Sequence, residues 1–248
     1  MPISQNISDK LKSSSWIRKM FEEGLQMKQK YGAENVFDLS LGNPVVEPPE
    51  EVRLAIKSVA NDSGTGLHRY MPNAGLHDVR EEIARSVSSE AQTELTADHI
   101  VMVCGAAGGL NITLKTLLEP DEEVIAFSPF FVEYLFYSEN HGGKTITVPT
   151  NEDFSLNFNA LREALSPKTK AVIINSPNNP TGVVYSRKML KELASVLNKY
   201  SSDNNNPIYL ISDDPYKKIV FDGVETPNIL ELYENSIYIT SHSKDLAI

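Results

Sequence analysis

From residue 100 onward the chain alternates short apolar runs with stretches of helical spacing. The runs at 100–104 (IVMVC), 123–127 (EVIAF), 144–148 (KTITV), 170–175 (KAVIIN), 208–212 (IYLIS) and 236–240 (SIYIT) are rich in Ile and Val and bounded by Gly, Pro, Asp or Asn. Continuous apolar runs of that length predict strands buried on both faces of a sheet. Between them GLNITLKTLLEP, FVEYLFYSENHG, NFNALREALSP and SRKMLKELASVLNKY place apolar residues at helical intervals. The alternation predicts an α/β fold, a mostly parallel sheet whose crossovers lay helices on both faces.

The first hundred residues follow a different pattern. SSWIRKMFEEGLQMKQKYG sets Trp16, Met20 and Leu25 near helical spacing, with Ser13 to Ser15 as candidate caps. GNPVVEPPEEV interrupts it. Two further helices are predicted in PPEEVRLAIKSVAND and GLHDVREEIARSVSSE, joined by the glycine-containing loop GTGLHRYMPNAG. The expected organisation is an N-terminal helix and arm over residues 1–48 and a larger domain over 49–248.

Composition narrows the function. With 41% apolar residues, 248 residues suffice for a sizeable core. The net charge of −10 argues against a nucleic-acid partner, which selects clustered Lys and Arg. No apolar run reaches bilayer length, and MPISQNISDKLK offers no apolar signal segment, so a cytoplasmic protein without membrane contact is expected. The single cysteine, Cys104, cannot form an internal disulfide and reads as a small core residue.

Parallel sheets gather ligands at the carboxyl ends of their strands, so the residues after each run carry the chemistry. GAAGG, after the first run, opens a helix: it is either a plain tight turn or an anion cradle at a helix N-terminus. SPFFVEY supplies Phe130 and Phe131, core aromatics or a plate for a flat ring. SPNNPTG presents amides on a proline-stiffened turn. DDPY places Asp213 and Asp214 at a strand end, where no histidine or third acid at ligand spacing supports a metal. SHSK puts Lys244 beyond the last run.

Taken in chain order, DLSLGNP, YMPNAG, SPNNPTG, ISDDPY and SHSK resemble the motifs of class I and II aminotransferases of fold type I, pyridoxal phosphate (PLP) enzymes related to aspartate aminotransferase. NNPTG followed by SHSK at this separation is the specific part of the signal. The resemblance implies transfer of an amino group between an L-amino acid and a 2-oxo acid, with pyridoxal 5′-phosphate as cofactor. Lys244 matches the lysine that carries the cofactor and moves the substrate proton. Asp213 matches the carboxylate facing the pyridine nitrogen, and Asn179 and Tyr216 the groups bonded to the phenolic oxygen. Ala106 and Ala107 align with backbone donors to the phosphate, Ser241 with a hydroxyl donor, and Ser243 stands beside them. Phe131 aligns with the aromatic stacked on the ring. Tyr70 resembles a tyrosine that reaches the phosphate of a neighbouring subunit, which implies a homodimer with shared sites. Gly42 resembles the glycine whose backbone lies beside the substrate. Asp214 is read as structural and His242 as a local packing residue.

The departures from the family pattern are at the end. Members continue well beyond the lysine, with an arginine for the phosphate, another for the substrate α-carboxylate, an antiparallel strand inside the sheet and a small C-terminal domain. This chain lacks them and is expected to be truncated after the cofactor lysine. A β-lyase, a decarboxylase or a PLP-binding fragment without turnover would use the same pocket, and the sequence does not name the amino acid.

Overall fold

The computed structural model describes residues 3–5, 7–9, 15–39, 42, 44 and 46–248. The chain divides into two compact units, Met1–Glu47 and Pro48–Ile248. The first holds helix α1 (Ser15–Tyr31), in whose last turn Lys28 pairs with Asp38 at 2.7 Å. Ser13 and Ser14, expected to cap this helix, the side chain of Trp16, and Ser40, Leu41 and Asn43 of the SLGNP motif lie outside the described residues.

The second unit opens with α2 (Glu50–Asn61) and α3 (His77–Ala91). It continues through α4 (Gly105–Leu117), β1 (Glu123–Ser128), α5 (Glu133–Asn140), β2 (Lys144–Pro149), α6 (Phe158–Ala164), β3 (Thr169–Ile174), α7 (Arg187–Asn204), β4 (Tyr209–Asp213) and β5 (Ser236–Ile239). The strands form one sheet in the order β2-β1-β3-β4-β5, and every pairing is parallel. Crossover helices are what a parallel pairing requires, because a tight turn cannot reverse the chain twice.

The helices start and stop where their side chains permit. Asn157 accepts the Ala160 N–H at the head of α6, and Ser186 accepts the Met189 N–H at the head of α7. Asn205 ends α7 in the left-handed conformation, φ 49°.

The period of two along each strand builds two cores. Ile125, Phe127, Val172, Ile174 and Leu210 face Leu161 of α6 and Leu190, Leu193 and Leu197 of α7. Val124, Ala126, Ala171, Ile173 and Ile211 face Leu110 and Leu114 of α4 and Tyr134 of α5. Helices therefore cover both faces of the sheet, and its strands are apolar on both sides. Gly109 permits the close approach of α4 to β5: a Cβ there would lie 2.9 Å from Ile239 Cγ2.

One expected strand is absent. Residues 100–104 have the composition of a strand but no ladder. Met102 donates its N–H to the Ala74 carbonyl at 2.9 Å, and its side chain and that of Val101 are exposed. A strand exists only through its neighbour's N–H and C=O groups. Among the described residues the sheet ends at β5, which leaves this run without a partner strand. Also among the described residues, no helix is long and apolar enough to cross a membrane.

Candidate active site

The carboxyl ends of β1, β3, β4 and β5 and the first turn of α4 surround a pocket of about 340 Å³. Lining it are Ala106, Ala107, Phe131, Asn179, Asp213, Tyr216, Ser241, Ser243 and Lys244, brought together from five separate loops. Each follows an apolar run in the sequence, and parallel strands bring their carboxyl ends to one edge.

Asp213 is the last residue of β4 and is 5% exposed. Its Oδ2 accepts a hydrogen bond from the Tyr134 hydroxyl at 2.6 Å. Its Oδ1 is buried without a hydrogen-bond partner among the described residues. Burial raises the carboxyl to about 6, with the Tyr134 bond opposing part of the rise. Tyr134 in turn is pushed well above the ordinary tyrosine value, first by burial and then by the Asp213 charge. The neighbouring Asp214 points away into the core, where its Oδ1 accepts from the Ser212 hydroxyl at 2.8 Å and burial raises it to about 7.

The turn after β3 is held by its own amides. Asn178 Oδ1 accepts from the Thr181 N–H at 3.1 Å and the Thr181 hydroxyl at 2.8 Å, and the Gly182 N–H returns to the Asn178 carbonyl at 2.8 Å. The turn thereby presents the Asn179 side chain, whose Nδ2 donates to the Tyr216 hydroxyl at 3.3 Å. Partial burial raises the Tyr216 phenol, while the Asn179 bond lowers it.

At the other end of the pocket α4 begins without a side-chain cap, since Cys104 at its N-cap makes no capping bond. Gly105 sits at φ 68°, the left-handed region that glycine enters without strain, and open space surrounds the position of its missing Cβ. The uncapped N–H groups and the positive end of the helix favour an anion there. Ser241, Ser243 and Lys244 approach the pocket from beyond β5. Cys104 is not the core residue expected from its type. It is exposed at the pocket rim, because the loop that starts α4 runs over the surface. His242 is likewise exposed rather than packed, with its Nδ1 3.1 Å from Asp245 Oδ1.

Phe131 lines the pocket and Phe130 does not. Both pack against Tyr134, Phe131 edge-on at 5.7 Å and Phe130 stacked at 6.2 Å. Tyr70 is fully exposed on the loop between α2 and α3 and does not line the pocket, and Gly42 belongs to the first unit. Sequence reasoning missed Tyr134, Tyr137 and Asn175, which line or support the pocket. The signal for the tyrosines was their position one and two helical turns after the SPFF turn. For Asn175 it was an amide immediately after a buried run.

The group that the sequence resemblance implies is PLP, and the residues present fit it. A buried carboxylate with one unengaged oxygen suits a cationic ring N–H. A flat aromatic wall, two donors near one another at Asn179 and Tyr216, an uncapped helix N-terminus and a lysine complete a complementary donor set.

The chain as a whole is similar to known proteins. Aspartate aminotransferase from Pyrococcus abyssi is 33% identical over 250 residues, covering 98% of this chain and 60% of the relative. A probable aspartate aminotransferase from Methanocaldococcus jannaschii is 30% identical over 211 residues, 85% of this chain and 54% of the relative. The chain thus spans just over half the length of these curated relatives. The crystal structure of an aminotransferase from Eubacterium rectale superposes with a TM-score of 0.94 at 36% identity, covering 100% of this chain and 63% of that one. The sequence model of aminotransferase class I and II matches residues 34–248, so the chain belongs to that family.

Proposed function

We propose that the protein takes part in PLP-dependent transfer of an amino group between an L-amino acid and a 2-oxo acid. The observation that carries the reading is the unpartnered, buried Oδ1 of Asp213 in the same pocket as Lys244 and the uncapped start of α4. The family's cofactor is PLP, which when bound supplies an electron sink for the bonds at the substrate Cα. The rest of the chemistry belongs to the chain.

Asp213 holds a proton at the ring nitrogen, and its burial favours a charged partner over water. Asn179 and Tyr216 donate to the phenolic oxygen. The N–H groups of Ala106 and Ala107, with the hydroxyls of Ser241 and Ser243, bind the phosphate. Phe131 stacks on the ring and excludes water from one face. Lys244 would hold the cofactor and, as a free amine, would take up and hand on the substrate Cα proton.

The reading extends to a homodimer in which Tyr70 reaches the partner's phosphate site and Gly42 lies beside the substrate. It is supported by the full exposure of Tyr70 and by Leu54, Ile56 and Val59, apolar residues of α2 that face solvent. The 49–248 region is the cofactor domain in this reading, and a single cysteine is in keeping with a cytoplasmic location.

Borohydride reduction of the PLP-loaded protein followed by peptide mapping tests it. A label on Lys244 is expected, together with pyridoxamine phosphate formation on adding an amino acid. A label on another lysine, or none, overturns the assignment.

A further inference from the structure

We propose that Asn175 is a positioning residue that fixes the separation of the two groups holding the cofactor ring at its nitrogen and its phenolic oxygen. The proposal rests on the PLP reading above. Asn175 follows the last residue of β3 and is 3% exposed. Its Nδ2 donates to the backbone carbonyl of Asp213 at 2.5 Å, and its Oδ1 accepts the backbone N–H of Asn179 at 2.5 Å. One side chain therefore binds the main chain of both residues.

The place of this contact explains the need for it. The ladder between β3 and β4 pairs Ile173 with Ile211 and ends with Ile174 opposite Ser212. One residue further, β4 still runs straight through Asp213 while the other chain turns away into residues 176–183. Without a substitute for the ladder the two loop ends would be free to separate just where they must act together. The Asn175 side chain supplies that substitute, with the donor at one end and the acceptor at the other. A small displacement of Asn179 relative to Asp213 would weaken the bond to the phenolic oxygen while Asp213 keeps the nitrogen, and misplacements of that size are costly to reaction rates.

The asparagine amide meets both partners at neutral pH, with a donor for one and an acceptor for the other. Leucine has the shape and neither polar atom. Aspartate keeps the acceptor for Asn179 but turns a second acceptor toward the Asp213 carbonyl. When protonated it regains a donor and mimics the amide.

The test uses the protein loaded with PLP. In Asn175→Leu the pH midpoint of the bound cofactor's absorbance change should rise by about half a unit or more, because a weaker donor stabilises the phenolate less. The single-turnover rate with amino acid should fall at least about tenfold. In Asn175→Asp the rate relative to wild type should be low at pH 8 and recover toward pH 5. A residue that merely supports the fold would change the melting temperature and leave the midpoint where it was. An unmoved midpoint in Asn175→Leu, with wild type labelled at Lys244, overturns this proposal alone. Should that variant fail to fold, an Asn175→Asp rate ratio equal at both pH values overturns it. A wild type that takes no label at Lys244 overturns the PLP reading and this proposal with it.

Discussion

The Tyr134 hydroxyl donates to Oδ2 of Asp213 at 2.6 Å, and the other carboxylate oxygen, Oδ1, is left buried and unengaged. The two oxygens of one side chain thus have different tasks. Oδ2 is fixed to the protein, which sets the plane of the carboxylate, and Oδ1 remains for a ligand. Tyr134 is itself 1% exposed and held between Phe130 and Phe131. The carboxylate is therefore oriented by a side chain that cannot swing away.

Tyr134→Phe is expected to raise the Asp213 carboxyl above about 6, since the lost bond is the influence that lowers it. The variant should need a higher pH to bind PLP, and its fold should lose about 1–3 kcal/mol through the unpaired Oδ2. PLP titrations monitored by absorbance between pH 5 and 8 check this. A binding profile that coincides with wild type would show that the bond does not tune Asp213.

Asp213→Asn should retain a folded pocket while the transfer of the amino group falls by several powers of ten, because a neutral amide does not hold the ring nitrogen protonated. Single-turnover absorbance with excess amino acid measures it. A rate close to wild type would remove Asp213 from the assigned role.

How much of this was legible beforehand depended on the range of the interaction. Five of the six apolar runs form strands, and the three central ones are buried on both faces, as at Val124 to Phe127. The run at 100–104 has equal composition and no ladder, since pairing depends on a neighbour that composition cannot report. Asp213 and Lys244 were readable from motifs that lie just after strands. Tyr134 and Asn175 were not. Tyr134 meets a carboxylate 79 positions away, and Asn175 a carbonyl 38 positions away, and no local pattern encodes either pair.

The second acid of the DDPY motif gives a pH-dependent stability. Burial raises Asp214 from 3.8 to about 7, so the folded state binds its proton more tightly than the unfolded state. Its stability contribution is fully present below about pH 4 and is lost as pH rises through 7. Asp214→Asn keeps an acceptor for the Ser212 hydroxyl and removes the titration. Relative to wild type, the variant should gain stability progressively between pH 4 and 7, by up to a few kcal/mol, and stay level above that. Urea unfolding of the cofactor-free proteins at several pH values measures the difference. A difference that is constant with pH would mean that Asp214 is not buried as a titrating acid.

The start of α4 separates an effect on the fold from an effect on the ligand. Ala107 is exposed, lines the pocket and is the third residue of a helix that has no acidic side chain in its first turn. An aspartate at that position faces the positive end of the helix, which stabilises helices by about 0.3–1 kcal/mol. The same charge occupies the ground assigned here to the cofactor phosphate and repels it. Ala107→Asp should therefore melt at the same or a higher temperature without ligand, yet bind PLP at least about tenfold more weakly, a loss of roughly 1.4 kcal/mol. Pyridoxal, which has the same ring and aldehyde but no phosphate, supplies the control, and its affinity should change far less. Equilibrium titration of both compounds against both proteins gives the four constants needed. Equal weakening for pyridoxal and PLP would mean that the substitution disturbs the ring site, and an unchanged PLP affinity would mean that the phosphate does not lie at this helix.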